Sequence, residues 1–296
     1  MQPYFLDSEY PNTRVEDALF HVIQVPLEAT VSYMGGTANG PKAIVEASGQ
    51  LETLVEGMGE PGTFGIHTYD AVSCSYEKSP EEVFARASVL MEKAFGQNSF
   101  PLLLGGEHSV TNAAVMALTA TYEKGSVGIL QFDAHMDLRS SYEGSVFSHA
   151  SVMYRAVEAG IPLFQVGIRN YSSEDLAARN EYKVGFYDAS ELYRLAHSPA
   201  GLASLTLPDS FPEKLYITFD VDGFDASLMS ATGTPDPGGL FWWDAITLLD
   251  VLTKGRTIVG SDVVELAPNK MLYHCDYTAA KLAYYLMGLM ETRRKQ

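Results

Sequence analysis

Residues 127–137 (VGILQFDAHMD) join an apolar run to a cluster of polar side chains. The run at 127–130 predicts a buried strand. Asp133, His135 and Asp137 follow at alternate positions, and residues two apart in an extended backbone point to the same side. Two carboxylates held close together repel each other unless a cation lies between them. The stretch therefore predicts that the end of this strand binds a cation.

The composition describes a chain that is large enough for a sizeable core and strongly acidic. It has 296 residues, 46% of them hydrophobic, and a formal net charge of −17 at pH 7. We expect no nucleic-acid partner, because phosphate backbones are bound mainly by Lys and Arg. The charge favours metal ions or a positively charged substrate as ligands, although solubility alone would also explain it.

The cysteines and the first residues bear on location. Cys74 and Cys275 are far apart and belong to no Cys/His cluster, so neither a disulfide framework nor a zinc–thiolate site is expected. Residues 1–7 (MQPYFLD) lack the basic and apolar regions of a signal peptide. No stretch approaches the length of apolar sequence that a membrane span needs. We therefore expect a cytoplasmic protein with no membrane partner.

Predicted strands and helices alternate along the chain. Strands are expected over 20–26, 101–104, 127–132, 163–168, 182–187, 215–219 and 256–264. Helices are expected over 42–48, 110–122, 174–180, 189–196, 242–252 and 277–291, with another between residue 79 and Gly96. This alternation predicts a three-layer α/β/α fold with a mostly parallel central sheet. No linker or repeat interrupts it, so residues 1–296 are predicted to form a single domain.

Acidic and imidazole side chains follow four of these strands. In open parallel sheets, ligands bind beyond the carboxyl ends of the strands. The residues at such ends are His108, Asp133, His135, Asp137, Asp220, Asp222 and Glu265, with Asp225 one turn further on. Taken singly, such a histidine could belong to the core, and each carboxylate to a turn or a solvated strand end. Their shared placement instead predicts one site.

The composition of this site favours a pair of metal ions. Two imidazoles and four aspartates, without thiolates, suit Mn²⁺, and carboxylates can bridge paired ions. Two ions about 3.5 Å apart can hold a water molecule, lower its pKa and supply hydroxide at neutral pH. The predicted reaction class is hydrolysis. On chemistry alone, phosphoryl and acyl-like substrates both remain open.

Four motifs, in order along the chain, resemble the signatures of the ureohydrolase (arginase/agmatinase) family. They are residues 105–109 (GGEHS), 132–137 (FDAHMD), 148–151 (SHAS) and 219–225 (FDVDGFD). Residues 233–239 and 262–265 extend the similarity, which covers roughly residues 20–290. The resemblance is greatest to agmatinases. It implies an arginase-like fold and hydrolysis of a guanidino group with two Mn²⁺ ions per subunit.

The resemblance also implies metal ligands. They would be His108, Asp133, His135, Asp137, Asp220 and Asp222. Asp133 and Asp220 would bridge both ions, whereas His108 would belong to one ion. His135 and Asp222 would complete the other. Asp137 would share the ion of His108 and also accept a hydrogen bond from the bridging hydroxide.

The implied mechanism uses two further side chains. Glu265 would bind the substrate guanidinium, because a carboxylate pairs well with that planar group. Hydroxide would attack the guanidinium carbon. His149 would contact the substrate and protonate the leaving amine, since an amide anion cannot depart. The products would be urea and an amine, and the resemblance suggests a homotrimer or homohexamer.

The loop at 138–144 (LRSSYEG) bears on the substrate. It lacks the Asn-containing pattern of arginases and is similar to the agmatinase version, which favours agmatine and a role in polyamine (putrescine) biosynthesis. Glu143 is a candidate contact for the distal ammonium, although a solvated loop carboxylate explains it equally well. Arg139 is predicted to point away from the pocket, because inside it would favour a carboxylate tail such as that of 4-guanidinobutyrate.

Several alternatives remain open. Within the family they are guanidinobutyrase, arginase, aminopropylagmatine ureohydrolase and formiminoglutamase. A two-metal phosphoesterase would need basic residues at the strand ends, where Arg139 is the nearest. A scaffold without activity would be expected to lose metal ligands, and all six are present. Glu107 stands where aspartate is common in the family, and Ala150 follows His149 where several members have glycine.

Overall fold

The computed structural model describes residues 3–294, and these residues form one sheet of eight parallel strands. The strands are β1 (Phe20–Val25), β2 (Ile66–Thr68), β3 (Phe100–Gly105), β4 (Val127–Phe132), β5 (Leu163–Val166), β6 (Gly185–Tyr187), β7 (Lys214–Asp220) and β8 (Thr257–Val264). Their order across the sheet is β2-β1-β3-β8-β7-β4-β5-β6. The predicted parallel sheet is confirmed.

Helices cover both faces of this sheet. They are α1 (Gly40–Ser48), α2 (Glu81–Gly96), α3 (Asn112–Thr121), α4 (Val152–Glu158), α5 (Ser173–Glu181), α6 (Ala189–Ala196), α7 (Trp242–Thr253) and α8 (Tyr273–Arg294). Helices α1, α6, α7 and α8 contribute to one buried apolar cluster, and α2, α3, α4 and α5 contribute to the other. The sheet is therefore the middle of three layers, as the sequence predicts.

Strand β4 illustrates why the central strands read as continuous apolar runs. Leu130 and Phe132 belong to one buried cluster, and Ile129 belongs to the other. Successive side chains of a strand point to opposite faces, so a strand covered on both faces needs apolar residues at every position. Phe132 also stacks on Phe219 of the neighbouring β7, with ring centroids 5.1 Å apart.

The structure adds two elements that the sequence pattern does not predict. Strand β2 has three residues at the edge of the sheet, and α4 has seven. Both are too short to show a hydrophobic period. Some boundaries also differ: α8 begins at Tyr273 instead of residue 277, and residues 108–111 form a 3₁₀ turn before α3.

Helix α8 has 22 residues and packs against β8 and α1. Its buried side chains include Leu282, Leu286 and Leu289. Among the residues that the structure describes, no helix has both the length and the apolar character needed to cross a membrane.

The strand order brings four polar strand ends together. Strands β3, β8, β7 and β4 are consecutive neighbours, and all of them are parallel. Their carboxyl ends therefore lie along one short edge of the sheet. His108 follows β3, Glu265 follows β8, Asp220 ends β7 and Asp133 follows β4.

Candidate metal centre

Three aspartates surround one nitrogen of His108. Its Nδ1 lies 3.1 Å from Asp133 Oδ2, 3.0 Å from Asp137 Oδ2 and 3.3 Å from Asp220 Oδ2. This nitrogen is buried and forms no hydrogen bond with any residue in 3–294. An imidazole nitrogen and carboxylate oxygens that face a common point without bonding one another are suited to holding a divalent cation.

A second cluster adjoins the first and shares Asp133 with it. His135 Nδ1 lies 3.1 Å from Asp222 Oδ2 and 3.7 Å from Asp133 Oδ1. The two groups with the spacing of metal ligands are His108, Asp133 and Asp220, and Asp133, His135 and Asp222. Because the two oxygens of Asp133 face different histidines, Asp133 has the geometry of a bridging ligand.

Asp220 is placed differently from Asp133. Its Oδ2 faces His108, but its Oδ1 accepts a hydrogen bond of 2.9 Å from the backbone N–H of Asp222. One oxygen of Asp220 is therefore turned toward the backbone in this structure. Its predicted role as a second bridge stays a prediction.

Burial and neighbouring charges shift the pKa values of these aspartates in different directions. Burial raises the pKa of Asp137 to about 6, and the charge of Asp133 adds to this rise. Burial and neighbouring aspartates hold the pKa of Asp220 well above its ordinary value. Burial also acts to raise the pKa of Asp133, but His108 and His135 outweigh it and lower that pKa. The positive charge of the two histidines is too small to neutralise all of these neighbouring carboxylates. Two divalent ions would supply the missing positive charge.

A hydroxyl and a carboxylate orient His108 from the side opposite the cluster. Its Nε2 lies 2.8 Å from Thr218 Oγ1, which donates a 2.7 Å hydrogen bond to Asp262 Oδ1. Asp262 also accepts hydrogen bonds from Thr111 and Tyr216. Since the single hydroxyl proton of Thr218 goes to Asp262, Thr218 must accept the N–H of His108 Nε2. This tautomer leaves the Nδ1 lone pair free for a metal ion.

Glu265 adds a further buried carboxylate to the same edge. Its Oε1 accepts a 2.6 Å hydrogen bond from the backbone N–H of His108, and its Oε2 lies beside Gly233. Burial raises the pKa of Glu265 to about 8, and the charge of Glu107 contributes to the rise. A buried carboxyl group with a raised pKa beside a cavity marks a candidate site for a cationic ligand.

Two of the site residues have left-handed backbone conformations. Asp137 has φ 54° and Glu265 has φ 66°. Such a conformation costs a residue other than glycine roughly 1–3 kcal/mol. Backbone hydrogen bonds hold both: the carbonyl of Asp137 accepts the N–H of Met153, and the N–H of Glu265 donates to the carbonyl of Gly106. The surrounding loops thus support two side chains at the cluster.

Two adjoining cavities open onto the cluster. The first, of about 20 Å³, is lined by Val31, Ser32, His108, His135, Asp137, His149, Asp220, Asp222, Gly233, Thr234 and Glu265. The second, of about 150 Å³, is lined by His135, Met136, Asp137, Arg139, Ala150, Asn170, Tyr171, Ser172 and Asp175. His135 and Asp137 line both cavities, so the two cavities adjoin at these residues.

His149 lies on the wall of the first cavity. Its Nδ1 is 3.3 Å from Thr30 Oγ1, and its Nε2 is 3.5 Å from Ser32 Oγ. The ring of Tyr142 meets the imidazole edge-on, with centroids 6.2 Å apart. The sequence motif therefore places His149 on the same cavity as Glu265, 116 positions further along the chain.

Two other residues singled out in the sequence, Glu143 and Asp225, lie elsewhere. Glu143 is exposed at the turn between Tyr142 and Ser145 and lines neither cavity. Its contact with a substrate ammonium stays a prediction. Asp225 accepts hydrogen bonds from the backbone of Gly238, Gly239 and Ser227, so it holds a loop in place.

Arg139 does not line the cavity that holds Glu265 and His149. It lies on the wall of the second cavity, so the prediction that it points away from the substrate pocket stays a prediction. Its guanidinium lies over the ring of Tyr142, 4.9 Å from the centroid, and its Nε is 3.9 Å from Asp175 Oδ2. These two contacts explain why the side chain stays at the cavity instead of extending into solvent.

Sequence reasoning missed the residues that support the ligands. Asp262 and Thr218 lie inside strands β8 and β7, and an aspartate followed by two valines within a predicted strand is a usable signal, because charged residues are rarely placed in the core without a partner. The roles of Thr30 and Ser32 depend on contacts with His149, which lies 119 and 117 positions further along the chain, so no local pattern reveals them.

Comparison with known proteins agrees with this geometry. A model described as the arginase family matches residues 18–288. An N(1)-aminopropylagmatine ureohydrolase of Synechocystis sp. is 35% identical, over 99% of this chain and 95% of that protein. An agmatinase of Pyrococcus horikoshii is 32% identical, over 96% of each. The crystal structure of an agmatine ureohydrolase of Thermoplasma volcanium superposes with a TM-score of 0.82 and 26% identity, covering 100% of this chain and 96% of that one.

Proposed function

The chain belongs to the arginase family, and from this membership we propose that it hydrolyses agmatine to putrescine and urea. The observation that carries the proposal is the buried carboxylate of Glu265, which faces the same cavity as the two ligand clusters. A carboxylate is the planar acceptor that best fits a guanidinium group. The absence of the arginase-type asparagine pattern from loop 138–144 supports a substrate without an amino-acid head.

We propose Mn²⁺ as the metal, with two ions per subunit. The oxygen-rich donor set fits this ion, and the unpaired, buried Nδ1 of His108 fits a ligand nitrogen. Residues proposed to hold the ions are His108, Asp133, His135, Asp137, Asp220 and Asp222. The ion pair would supply hydroxide from water at neutral pH.

Glu265 binds and orients the guanidinium in this proposal. One of its oxygens is occupied by the N–H of His108, which leaves Oε2 to accept from the substrate. The positive guanidinium stabilises the ionised carboxylate and so lowers a pKa that burial raises to about 8. Substrate binding and ionisation of Glu265 are therefore coupled.

His149 supplies the proton that the leaving amine requires. Its Nε2 lies beside Ser32 on the wall of the first cavity. When the carbon–nitrogen bond breaks, the bonding electrons pass to the amine nitrogen, which must gain a proton to leave as a neutral amine. An imidazolium on the cavity wall can give that proton without passing through bulk water.

N(1)-aminopropylagmatine is a second candidate substrate. The second cavity adjoins the first at His135 and Asp137 and is lined further on by Asn170 and Tyr171, so it is the candidate location for the aminopropyl extension of this substrate. The Synechocystis relative is named for this compound. Arg139 on the same wall disfavours an ammonium nearby and makes 4-guanidinobutyrate the compound for comparison.

The test is a product-release assay with Mn²⁺ on agmatine, N(1)-aminopropylagmatine, arginine, 4-guanidinobutyrate and formiminoglutamate. Urea is measured for the first four compounds and formamide for the last. We expect the highest kcat/KM with agmatine. Glu265→Gln should keep its metal content and lose roughly 10- to 100-fold in kcat/KM. A higher kcat/KM with arginine or 4-guanidinobutyrate, or no product from any compound, would overturn the proposal.

We also propose that residues 1–296 act as one domain in a cytoplasmic homotrimer or homohexamer. Leu54, Trp243 and Tyr277 are exposed apolar residues on one groove, which is the kind of surface that subunits cover. The free thiols of Cys74 and Cys275 fit a reducing compartment. Light scattering after size-exclusion chromatography tests the assembly, and cell fractionation tests the location.

A further inference from the structure

Glu107 is a fully buried carboxylate outside the two ligand clusters. Its Oε2 accepts hydrogen bonds from the backbone N–H groups of Ala29, at 2.7 Å, and Thr30, at 2.6 Å. Its Oε1 accepts from Thr30 Oγ1 at 2.9 Å and from Ser109 Oγ at 2.5 Å. Four donors thus surround an acceptor that has no proton to give when ionised.

The hydroxyl of Thr30 links this carboxylate to His149. Besides its bond to Glu107, Thr30 Oγ1 accepts the backbone N–H of His149 at 3.0 Å and lies 3.3 Å from His149 Nδ1. A hydroxyl has one proton and two lone pairs. The proton goes to the carboxylate, because a charge-assisted hydrogen bond is the stronger one. Both remaining contacts of Thr30 must then be accepted, so His149 Nδ1 has to carry a hydrogen.

From this proton count we infer that Glu107, acting through Thr30, keeps a proton on Nδ1 of His149 and makes Nε2 the nitrogen that exchanges protons with the cavity. Glu107 and Thr30 are positioning residues, since neither lies between the imidazole and the substrate. The inference rests on the proposed role of His149 as proton donor. It adds that Nε2 is the atom that donates the proton and that Glu107 and Thr30 select this atom.

The proton transfer balances with this assignment. In the imidazolium both ring nitrogens carry hydrogen. The Nε2–H bond breaks, its electrons stay on Nε2, and the proton bonds to the amine nitrogen as the carbon–nitrogen bond breaks. The imidazole that remains is the neutral form with hydrogen on Nδ1, which is the form that Thr30 accepts. No rearrangement of the ring or of Thr30 is needed before the next proton is taken up.

Glu107→Gln provides a sharp test because it keeps the shape of the side chain. The amide oxygen of Gln must face the two backbone N–H groups of Ala29 and Thr30, so the amide NH₂ faces Thr30 Oγ1. Thr30 then receives a hydrogen bond where it formerly donated one. Its proton is free to turn to His149 Nδ1, and the favoured tautomer becomes the one with hydrogen on Nε2.

The readout is the pair of ring ¹⁵N chemical shifts of His149, measured by solid-state NMR. The full-length protein is labelled with ¹⁵N-histidine, loaded with diamagnetic Zn²⁺, and held at a pH where the ring is neutral. His149→Asn identifies the signal. We expect hydrogen on Nδ1 in the wild type and on Nε2 in Glu107→Gln. Wild-type protein with hydrogen on Nε2, or a Glu107→Gln variant that keeps it on Nδ1, would overturn the inference.

Three further variants separate tautomer selection from general damage. Thr30→Val removes the acceptor and should lose the preference for Nδ1–H, whereas Thr30→Ser should retain it. Ser32→Ala is the matched control, because it removes the hydroxyl beside the opposite nitrogen of the same ring. It should leave the proton on Nδ1. A tautomer change in Ser32→Ala together with none in Thr30→Val would show that Ser32 selects the tautomer instead of Thr30, and would overturn the inference.

Kinetics supply the second readout. General acid catalysis contributes about 10²- to 10⁴-fold. Without an acceptor for Nδ1–H, the imidazole that remains after proton transfer loses its hydrogen bond, so kcat for agmatine should fall by roughly 10- to 100-fold with little change in KM. Thr30→Ser should restore kcat relative to Thr30→Val. If the wild type shows the expected tautomer but releases no urea from any guanidino compound, the proposed function fails and the hydrogen-bond assignment stands. If urea is released but Glu107→Gln keeps full kcat, the inference fails alone.

Discussion

Asp133 turns one oxygen toward each of the two candidate ligand histidines, Oδ2 toward His108 and Oδ1 toward His135. Neighbouring donors fix both oxygens: the side-chain amide of Gln131 donates to Oδ2, and the backbone N–H of His135 donates to Oδ1. The carboxylate is therefore held in one orientation before any ion binds. Removing it takes a ligand from both clusters at once.

Asp133→Ala should abolish binding of both ions and lower urea release by about 10³-fold or more, since the loss of metal-ion catalysis costs several kcal/mol. Metal content by mass spectrometry and urea release from agmatine measure the two effects. Asp70→Ala, at an exposed aspartate, is the matched control and should behave as the wild type. A variant at Asp133 that keeps two ions and full activity would rule out the two-metal arrangement.

For single residues, the sequence predicts the candidate metal ligands well, but it predicts poorly the residues that form hydrogen bonds with the site side chains and orient them. The alternate spacing of Asp133, His135 and Asp137 is local, so it can be read from one strand end. The roles of Glu107 and Thr30 depend on contacts between segments 77 positions apart, which no local pattern encodes. Which nitrogen of a histidine carries hydrogen follows only from those contacts.

The pairing of β7 with β8 holds the side chains that orient the metal-ligand candidate His108. Thr218 on β7 is in register with Asp262 on β8, which is why the hydroxyl reaches the carboxylate and His108 together. Outer-sphere partners of this kind contribute about 10- to 100-fold to metal affinity. Thr218 and Asp262 can form this hydrogen bond only when β7 and β8 pair in this register. The effect on metal affinity therefore depends on the strand pairing as well as on the two side chains.

Thr218→Val should lower the affinity for metal by about 10- to 100-fold, because His108 loses the acceptor that fixes its tautomer. Thr218→Ser keeps a hydroxyl and should retain wild-type affinity. Isothermal titration with Mn²⁺ measures the dissociation constants of both variants. Equal affinities in Thr218→Val and Thr218→Ser would show that the hydroxyl does not orient the ligand.

Strand β1 carries a buried histidine that makes stability depend on pH. Burial lowers the pKa of His21 to about 4, and the charge of His67 adds to the effect. The unfolded chain has the ordinary histidine pKa of about 6.5. Between pH 4 and 6.5 the unfolded state therefore binds more protons than the folded one, so the free energy of unfolding rises with pH in this window and falls on acidification.

His21→Asn should flatten this dependence. The wild type should lose up to about 3 kcal/mol more than the variant between pH 6.5 and 4. Equilibrium urea unfolding of the metal-free proteins at several pH values gives the two slopes. His197→Asn replaces an exposed histidine and should keep the wild-type slope. Identical slopes for His21→Asn and wild type would mean that His21 does not titrate on unfolding.

The long elements follow from the sequence because each repeats its pattern for several turns or covers both faces of the sheet. Strand β2 and helix α4 do not, since their three and seven residues are placed by neighbours already in the fold. The first turn of α8 was also missed. Of its residues 273–276, Cys275 is buried and Tyr273 is exposed, and one buried position carries no apolar period that would mark a helix.

At the scale of the whole molecule, metal binding and folding are coupled, because the ligands come from three different strand ends. Each ion that binds only the folded state stabilises it by about 2.7 kcal/mol at a free concentration of 100 times Kd, so two ions contribute about 5 kcal/mol. Removing them with EDTA should therefore lower Tm by about 5–10 °C. Calorimetry with and without EDTA measures the shift. Asp133→Ala should respond little to EDTA, and an equal shift in that variant would disconnect stability from the proposed site.

The position of β8 has a consequence for how the protein is made. This strand lies between β3 and β7, yet it is the last strand in the chain. While a ribosome has produced only the residues up to β7, the growing polypeptide contains two blocks, β2-β1-β3 and β7-β4-β5-β6, with no strand to join them. His108 belongs to the first block, and Asp133 and Asp220 belong to the second. The cluster that contains His108 can therefore be completed only after β8 has been synthesised and has docked between the blocks.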